Sequence, residues 1–211
     1  MKLTGETKLF LGIIIGTVVI IGAGVYFFSK PAAPEPAVPR EKLVTPDAHT
    51  KGNASASAYL VEFSDFQCPY CHDVKPFVDA TVEKFKDNLL FVYRHFPLDQ
   101  HPFAQKAAIA AEAAGAQGKF WEAYDYLFQN QDKISDELIK GMGKTLGLGD
   151  EKYTKALSDP QLKTKVDNDR ADGLALGIGG TPTFYLNGRK LEVSSYVDIE
   201  KLVGEAVKNP Q

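Results

Sequence analysis

The stretch Glu62–Pro76, Glu-Phe-Ser-Asp-Phe-Gln-Cys-Pro-Tyr-Cys-His-Asp-Val-Lys-Pro, holds both cysteines of the chain, Cys68 and Cys71. Ahead of the motif, Ala58 to Ser64 is rich in Tyr, Val and Phe and reads as a strand. After it, Val74, Phe77, Val78, Val82 and Phe85 recur mostly at spacings of three and four, which predicts an amphipathic helix. A Cys-x-x-Cys pair at a strand-to-helix junction has few uses. Residues three apart on a helix lie about 5–6 Å from one another, within the separation that a disulfide bridges. The first cysteine meets unpaired N–H groups and the positive end of the helix dipole, and both favour thiolate over thiol. Such a pair opens and closes with little backbone movement, so it reads as a redox centre. Three other readings stand beside it at this level. They are a c-type haem attached through Cys68-x-x-Cys71-His72, half of a zinc site completed by His72, His95 or His101, and two buried cysteines without chemistry.

The rest of the composition is that of an ordinary globular protein with one folded domain: 211 residues, 44% of them hydrophobic, and a net charge of −3. No basic excess points to nucleic acid. Two cysteines close one bridge at most, so no disulfide framework supports the fold. Leu9 to Phe28 carries no charge over twenty residues, and as a helix it would span about 30 Å, the hydrocarbon thickness of a bilayer. A cleaved signal peptide has an apolar region of only about 7–15 residues that ends in small residues. Here Gly22, Ala23 and Gly24 are followed by Val-Tyr-Phe-Phe, which continues the apolar run, so an uncleaved transmembrane anchor over 9–28 is expected after a short tail, 1–8. Lysines and arginines fall on both sides of the span (Lys2 and Lys8; Lys30, Arg40 and Lys42), which leaves orientation to the chemistry. Residues 29–57 shift to Pro, Ala and scattered charge, and are expected to be a tether without elements of its own.

The folded domain is expected over 58–208. Leu89 to Phe96 is an apolar and aromatic run ended by Pro97, which reads as a buried strand completing a β-α-β unit with parallel strands. From about 102 to 177 the period is helical. Ala104–Ala116 is alanine-dense, Phe120, Trp121, Tyr124, Leu127 and Phe128 form an apolar face, and Ser135 and Asp159-Pro160 are suited to open helices. His95 and His101 read as packing or surface residues rather than ligands. Thr183 to Leu186 is a predicted strand, Asn187-Gly188 a hairpin turn, Arg189 to Val193 the returning strand, and Tyr196 to Val207 a final helix.

Strand, Cys helix, strand, helical segment, Thr-Pro, hairpin and helix is the order of an α/β thioredoxin fold with a helical insertion, preceded here by one transmembrane helix. The sequence resembles the DsbA-like family of thiol–disulfide oxidoreductases, in particular its membrane-anchored bacterial branch. The resemblance rests on Glu62-Phe-Ser-Asp-Phe-Gln-Cys68-Pro-Tyr-Cys71, on Phe96-Pro-Leu with Gln117-Gly-Lys-Phe-Trp121, and on Leu176-Gly-Ile-Gly-Gly-Thr181-Pro182-Thr-Phe. It spans about Ala58 to Val207.

The resemblance implies that Cys68 is the exposed attacking sulfur and that Cys71, one turn in, resolves the mixed disulfide. It implies a cis bond before Pro182, with Thr181 offering its backbone to an extended substrate, and a kink at Pro76. Pro69 and Tyr70 set how far the Cys68 thiolate is stabilised. The Pro-Tyr pair is that of glutaredoxins, where the best-known family member has Pro-His. Glu62 resembles a buried acid that relays the proton of the second cysteine, and the alternative is an exposed strand residue. His72 is expected on the helix surface, modulating thiolate charge at most. The implied activity is disulfide formation in reduced or misbridged secreted polypeptides, served by a membrane or soluble redox partner and by no cofactor or metal. A reductase or isomerase on the same fold is the alternative. The implied place is the cell membrane, single-pass, with the N-terminus cytoplasmic and the domain outside, since one dithiol and no other cysteine suits an oxidising compartment.

Overall fold

The computed structural model describes residues 4–29, 36–193 and 195–209, so the first residues of the tail and the Pro-rich 30–35 lie outside it. The chain divides into two units, 1–36 and 37–211. The first carries helix α1, Gly5–Phe28, which includes the span Leu9–Phe28, long and apolar enough to cross a membrane. This is compatible with an anchor.

The second unit runs α2 (Arg40–Leu43), β1 (His49–Gly52), β2 (Ala58–Ser64), α3 (Pro69–Phe85), β3 (Leu89–His95), α4 (Ala104–Gly115), α5 (Phe120–Gln129), a 3-10 turn (Gln131–Lys133), α6 (Asp136–Thr145), α7 (Asp150–Ala156), α8 (Pro160–Ala175), β4 (Thr183–Leu186), β5 (Arg189–Lys190) and α9 (Val197–Lys208). The strands form one sheet in the order β1-β3-β2-β4-β5. β2 and β3 are parallel, and the other pairings are antiparallel. The architecture is the thioredoxin fold with its helical insertion between β3 and β4.

β2 is central and buried along its whole length, which is why it reads as a near-continuous apolar run. Its alternate residues divide the core. Ala58 and Leu60 face one cluster with Cys71, Val74, Phe91 and the insertion's Tyr124 and Phe128. Tyr59, Val61 and Phe63 face a second with Leu43, Val92, Phe96 and Tyr185. The predicted caps are in place: Ser135 Oγ accepts from Leu138 N, and Asp159 Oδ1 accepts from Gln161 N. Pro160 opens α8, where a missing N–H costs nothing.

Two expectations change. The tether does not extend to residue 57, because its second half is part of the domain. β1 pairs along the edge of β3 from His49 opposite Tyr93 to Gly52 opposite Leu90, and Leu43 is fully buried. Arg40 Nη1 donates to Ala56 O at 3.0 Å and its guanidinium lies over the Tyr59 ring. Val38 N donates to Gly188 O at 2.8 Å. Gly188 adopts φ +81°, and a Cβ there would lie 2.4 Å from Val38 O, so only glycine allows this close approach. The returning strand is also shorter than Arg189–Val193. After Lys190 only Leu191 N still reaches across, to Phe184 O, and Leu191 and Val193 instead pack their side chains on the core.

Candidate active site

Cys68 is the N-cap of α3, and Pro69 occupies the first helical position, where its fixed φ suits the turn. The Cys68 carbonyl accepts from Cys71 N at 3.1 Å and His72 N at 3.2 Å. The helix thus begins at the first cysteine and directs its leading N–H groups toward it. Cys71 lies one turn in. Pro76 stays within α3, beyond the turn that carries the motif.

The expected exposure of Cys68 is not what the structure shows. Both cysteines are free thiols, and Cys68 is only 3% accessible against 0% for Cys71. The cause is the loop before β4. The Thr181–Pro182 peptide bond is cis, and Cys68 Sγ donates to Thr181 O at 3.2 Å. What separates the two thiols is proton affinity. The Cys71 thiol donates toward the Cys68 sulfur, and this contact leads the Cys71 and Tyr70 N–H groups in lowering the Cys68 pKa to about 6, against the opposing effect of burial; Thr181 Oγ1 is buried nearby but makes no hydrogen bond of ordinary geometry. The Thr181 carbonyl accepts only from the thiol, so it too works against the lowering. Cys71 is driven the other way, first by burial and then by the same hydrogen bond, which its thiolate could not make.

Glu62 is buried, 1% accessible, and so is not an exposed strand residue. Burial raises its pKa to about 7, with Asp79 and Cys68 adding to the rise and Ser64 and Lys75 opposing it. Tyr70 stands 64% exposed beside the motif. Pro69 is also exposed. His72 faces solvent, with Nδ1 3.3 Å from Asp73 Oδ1. Tyr70, Thr181, Pro182, Lys190 and Tyr196 help to line a groove of about 300 Å³ beside the motif.

Residues outside the expected set of site residues hold the loop between β2 and α3. Asp65 is buried: Oδ1 accepts from Gln67 N at 2.7 Å, while Oδ2 accepts from Leu98 N at 2.9 Å and lies 2.7 Å from His101 Nδ1. Its carbonyl accepts from Cys68 N at 3.0 Å. From the insertion, Gln131 Nε2 donates to Phe66 O at 2.8 Å and to Cys68 O at 3.0 Å. His95 Nε2 lies 2.8 Å from Glu112 Oε1, in a network with His49 and Lys165. The histidines named as alternative ligands are thus engaged with carboxylates. Among the described residues no group of His, Cys, Asp and Glu is arranged to hold a metal ion.

The thioredoxin family model matches residues 44–205. Solved structures share the fold. Alpha-DsbA2 of Wolbachia pipientis, a thiol–disulfide exchange protein, superposes with a TM-score of 0.70 at 20% identity over 79% of this chain and 90% of its own. BdbD of Bacillus subtilis gives 0.69 at 20% identity, over 85% and 100%. DsbA2 of Pseudomonas aeruginosa gives 0.62 at 25% identity, over 76% and 93%. Among curated proteins, the chain is 41% identical over 150 residues to the Na⁺/H⁺ antiporter NhaA 1 of Salinispora arenicola, a match of 70% of this chain and 23% of that protein. For NhaA of Herminiimonas arsenicoxydans the figures are 38% over 146 residues, 69% and 23%. The chain spans about a quarter of the length of these relatives.

Proposed function

Because the chain belongs to the thioredoxin family and has the fold of DsbA-like thiol–disulfide oxidoreductases, we propose that its Cys68–Cys71 pair forms disulfides in secreted or extracytoplasmic polypeptides. The observation that carries this reading is the placement of the two thiols, Cys68 at the N-terminus of α3 with Sγ 3.2 Å from Thr181 O and Cys71 fully buried one turn in, a placement that lowers the pKa of the first to about 6 and raises that of the second. In the forward reaction a substrate thiolate attacks Cys68 Sγ of the oxidised pair, and Cys71 leaves as a thiolate that takes a proton from Glu62. The second substrate thiolate then attacks the substrate sulfur of the mixed disulfide. The substrate disulfide forms, and Cys68 leaves as a thiolate stabilised by its helix terminus. Two electrons pass to the protein, one substrate proton is released, and Glu62 is reprotonated from solvent by the other.

Direction follows from the stability of the leaving group. Whatever stabilises the reduced Cys68 thiolate makes the disulfide a stronger oxidant. The groove beside Pro182 suits an extended substrate segment, with Thr181 offering backbone groups and Tyr70 an aromatic edge. A membrane or soluble redox partner reoxidises the pair. The anchor 9–28 holds the domain outside the membrane, with the N-terminus cytoplasmic.

The reductase or isomerase alternative keeps the same residues with a lower potential. Haem attachment is disfavoured because thioethers at both cysteines would require the fully buried Cys71 to leave the core, and His72 points to solvent. The test is the full-length Cys71→Ser variant expressed in its host. It is expected to accumulate mixed disulfides through Cys68 with extracytoplasmic polypeptides, released by reductant. Their absence would count against exchange at this site.

A further inference from the structure

Glu62 Oε2, Ser64 Oγ, Tyr93 Oη and Tyr124 Oη are all buried and make no hydrogen bond of ordinary geometry within the protein, although the Ser64 hydroxyl lies close enough to Glu62 and Tyr93 to lower the pKa of each. Their residues are each only 1% accessible. The fold gathers them. Glu62 and Ser64 are two apart on β2 and so face one side of the sheet, and the parallel register sets Tyr93 beside Glu62. The Tyr93 and Tyr124 rings meet edge to face with centroids 5.3 Å apart, and α3 brings Cys71 into the same core cluster. Buried polar groups are rarely left unpaired, and a buried water typically makes about three hydrogen bonds to groups of this kind.

We infer that these four groups form an internal water site, and that Tyr93 and Tyr124 are positioning residues whose hydroxyls donate through it toward the Glu62 carboxylate and set its proton affinity. The inference rests on the relay role proposed for Glu62. The Lys75 ammonium, which opposes the rise at Glu62, does not serve instead. Lys75 Nζ is committed to Asp79 at 2.5 Å and Asp125 at 2.8 Å. Titratable groups around the cluster include Lys75 and Asp79 of α3, Asp125 of α5, Asp65 of the loop, the two cysteines, Lys51 of β1 over the Tyr124 ring and His95 of β3 beside the Tyr93 ring, and β4 places Phe184 alongside. Both tyrosines feel the Glu62 charge. Burial is the first cause and that charge the second in pushing their own pKa values well up, so the phenols remain protonated donors.

The sign is fixed by chemistry. Donors to a carboxylate favour the charged form, so removing them raises the pKa of Glu62 above its value of about 7. The experiment is a ¹³C NMR titration of glutamate-labelled full-length protein in detergent, reduced, as wild type, Tyr93→Phe and Tyr124→Phe. Each variant loses a single oxygen. The Glu62 midpoint is expected to move up by about one unit in at least one variant, the size expected for loss of a donor to a charged group. The pH profile of exchange with a reduced dithiol peptide should move with it. In a Glu62→Gln background the phenylalanine substitutions should leave that profile unchanged. An unmoved or lowered midpoint in both variants would overturn the inference, and should one variant fail to fold, the other decides. The titration does not depend on turnover. A wild type inert in exchange would therefore sink the proposed function while the midpoints still judged this inference.

Discussion

Three residues apart on one helix, Cys68 and Cys71 are nearly equal in accessibility and far apart in proton affinity. At the residue scale the proposed chemistry rests on this difference. Alkylation reads it directly. Reduced protein treated with limiting iodoacetamide should be modified at Cys68 with a midpoint near pH 6, following its pKa, while Cys71, raised above its ordinary value, stays unmodified through neutral pH. The sign is that of a thiol whose thiolate is stabilised: the reactive fraction is lost as pH falls through the midpoint. Equal labelling, or Cys71 first, would contradict the assignment. Tyr70 offers no positive charge to the thiolate where a histidine would, so the lowering at Cys68 comes first from the Cys71 thiol and then from backbone N–H groups.

At the scale of elements, the site is a loop held from three directions: Asp65 from within, Leu98 and His101 after β3, and Gln131 from the insertion. Replacing Gln131 with Leu leaves Phe66 O and Cys68 O without that donor, at a cost of about 1–3 kcal/mol. The Cys68 alkylation midpoint should also rise, because the loop no longer holds its N–H groups in line. Lost stability with an unmoved midpoint would confine Gln131 to structural support. The elements differ in how far they were legible. β2 and β3 are buried on both faces and so read as apolar runs, and the insertion's helices showed through their spacing and caps. β1 did not, because a polar edge strand, His-Thr-Lys-Gly, has no apolar alternation and is defined by its register with β3. Gln131 was invisible for a similar reason: its partners lie more than sixty residues away and no local pattern ties an amide to them. The burial of Glu62 was undecidable from its strand, since only the helices packed on that face determine it. The low exposure of Cys68 was missed because the Thr181–Pro182 loop that covers it is 113 residues distant.

At the scale of the whole molecule, the chain joins a helix that is long and apolar enough to cross a membrane, Leu9–Phe28, to a thioredoxin domain. The orientation proposed above is tested in intact spheroplasts. Added protease should remove the domain, and protection until lysis would refute it. The central claim, that Cys68–Cys71 is a disulfide-donating couple, is tested most directly by its reduction potential. Full-length protein in detergent would be equilibrated in glutathione buffers, its thiols titrated, and its oxidised form offered a reduced, unfolded polypeptide. The expected result is a reversible two-electron couple well above thioredoxin's potential of about −270 mV, with disulfides appearing in the polypeptide as the pair is reduced. A potential as low as thioredoxin's, together with failure to oxidise that polypeptide, would contradict it.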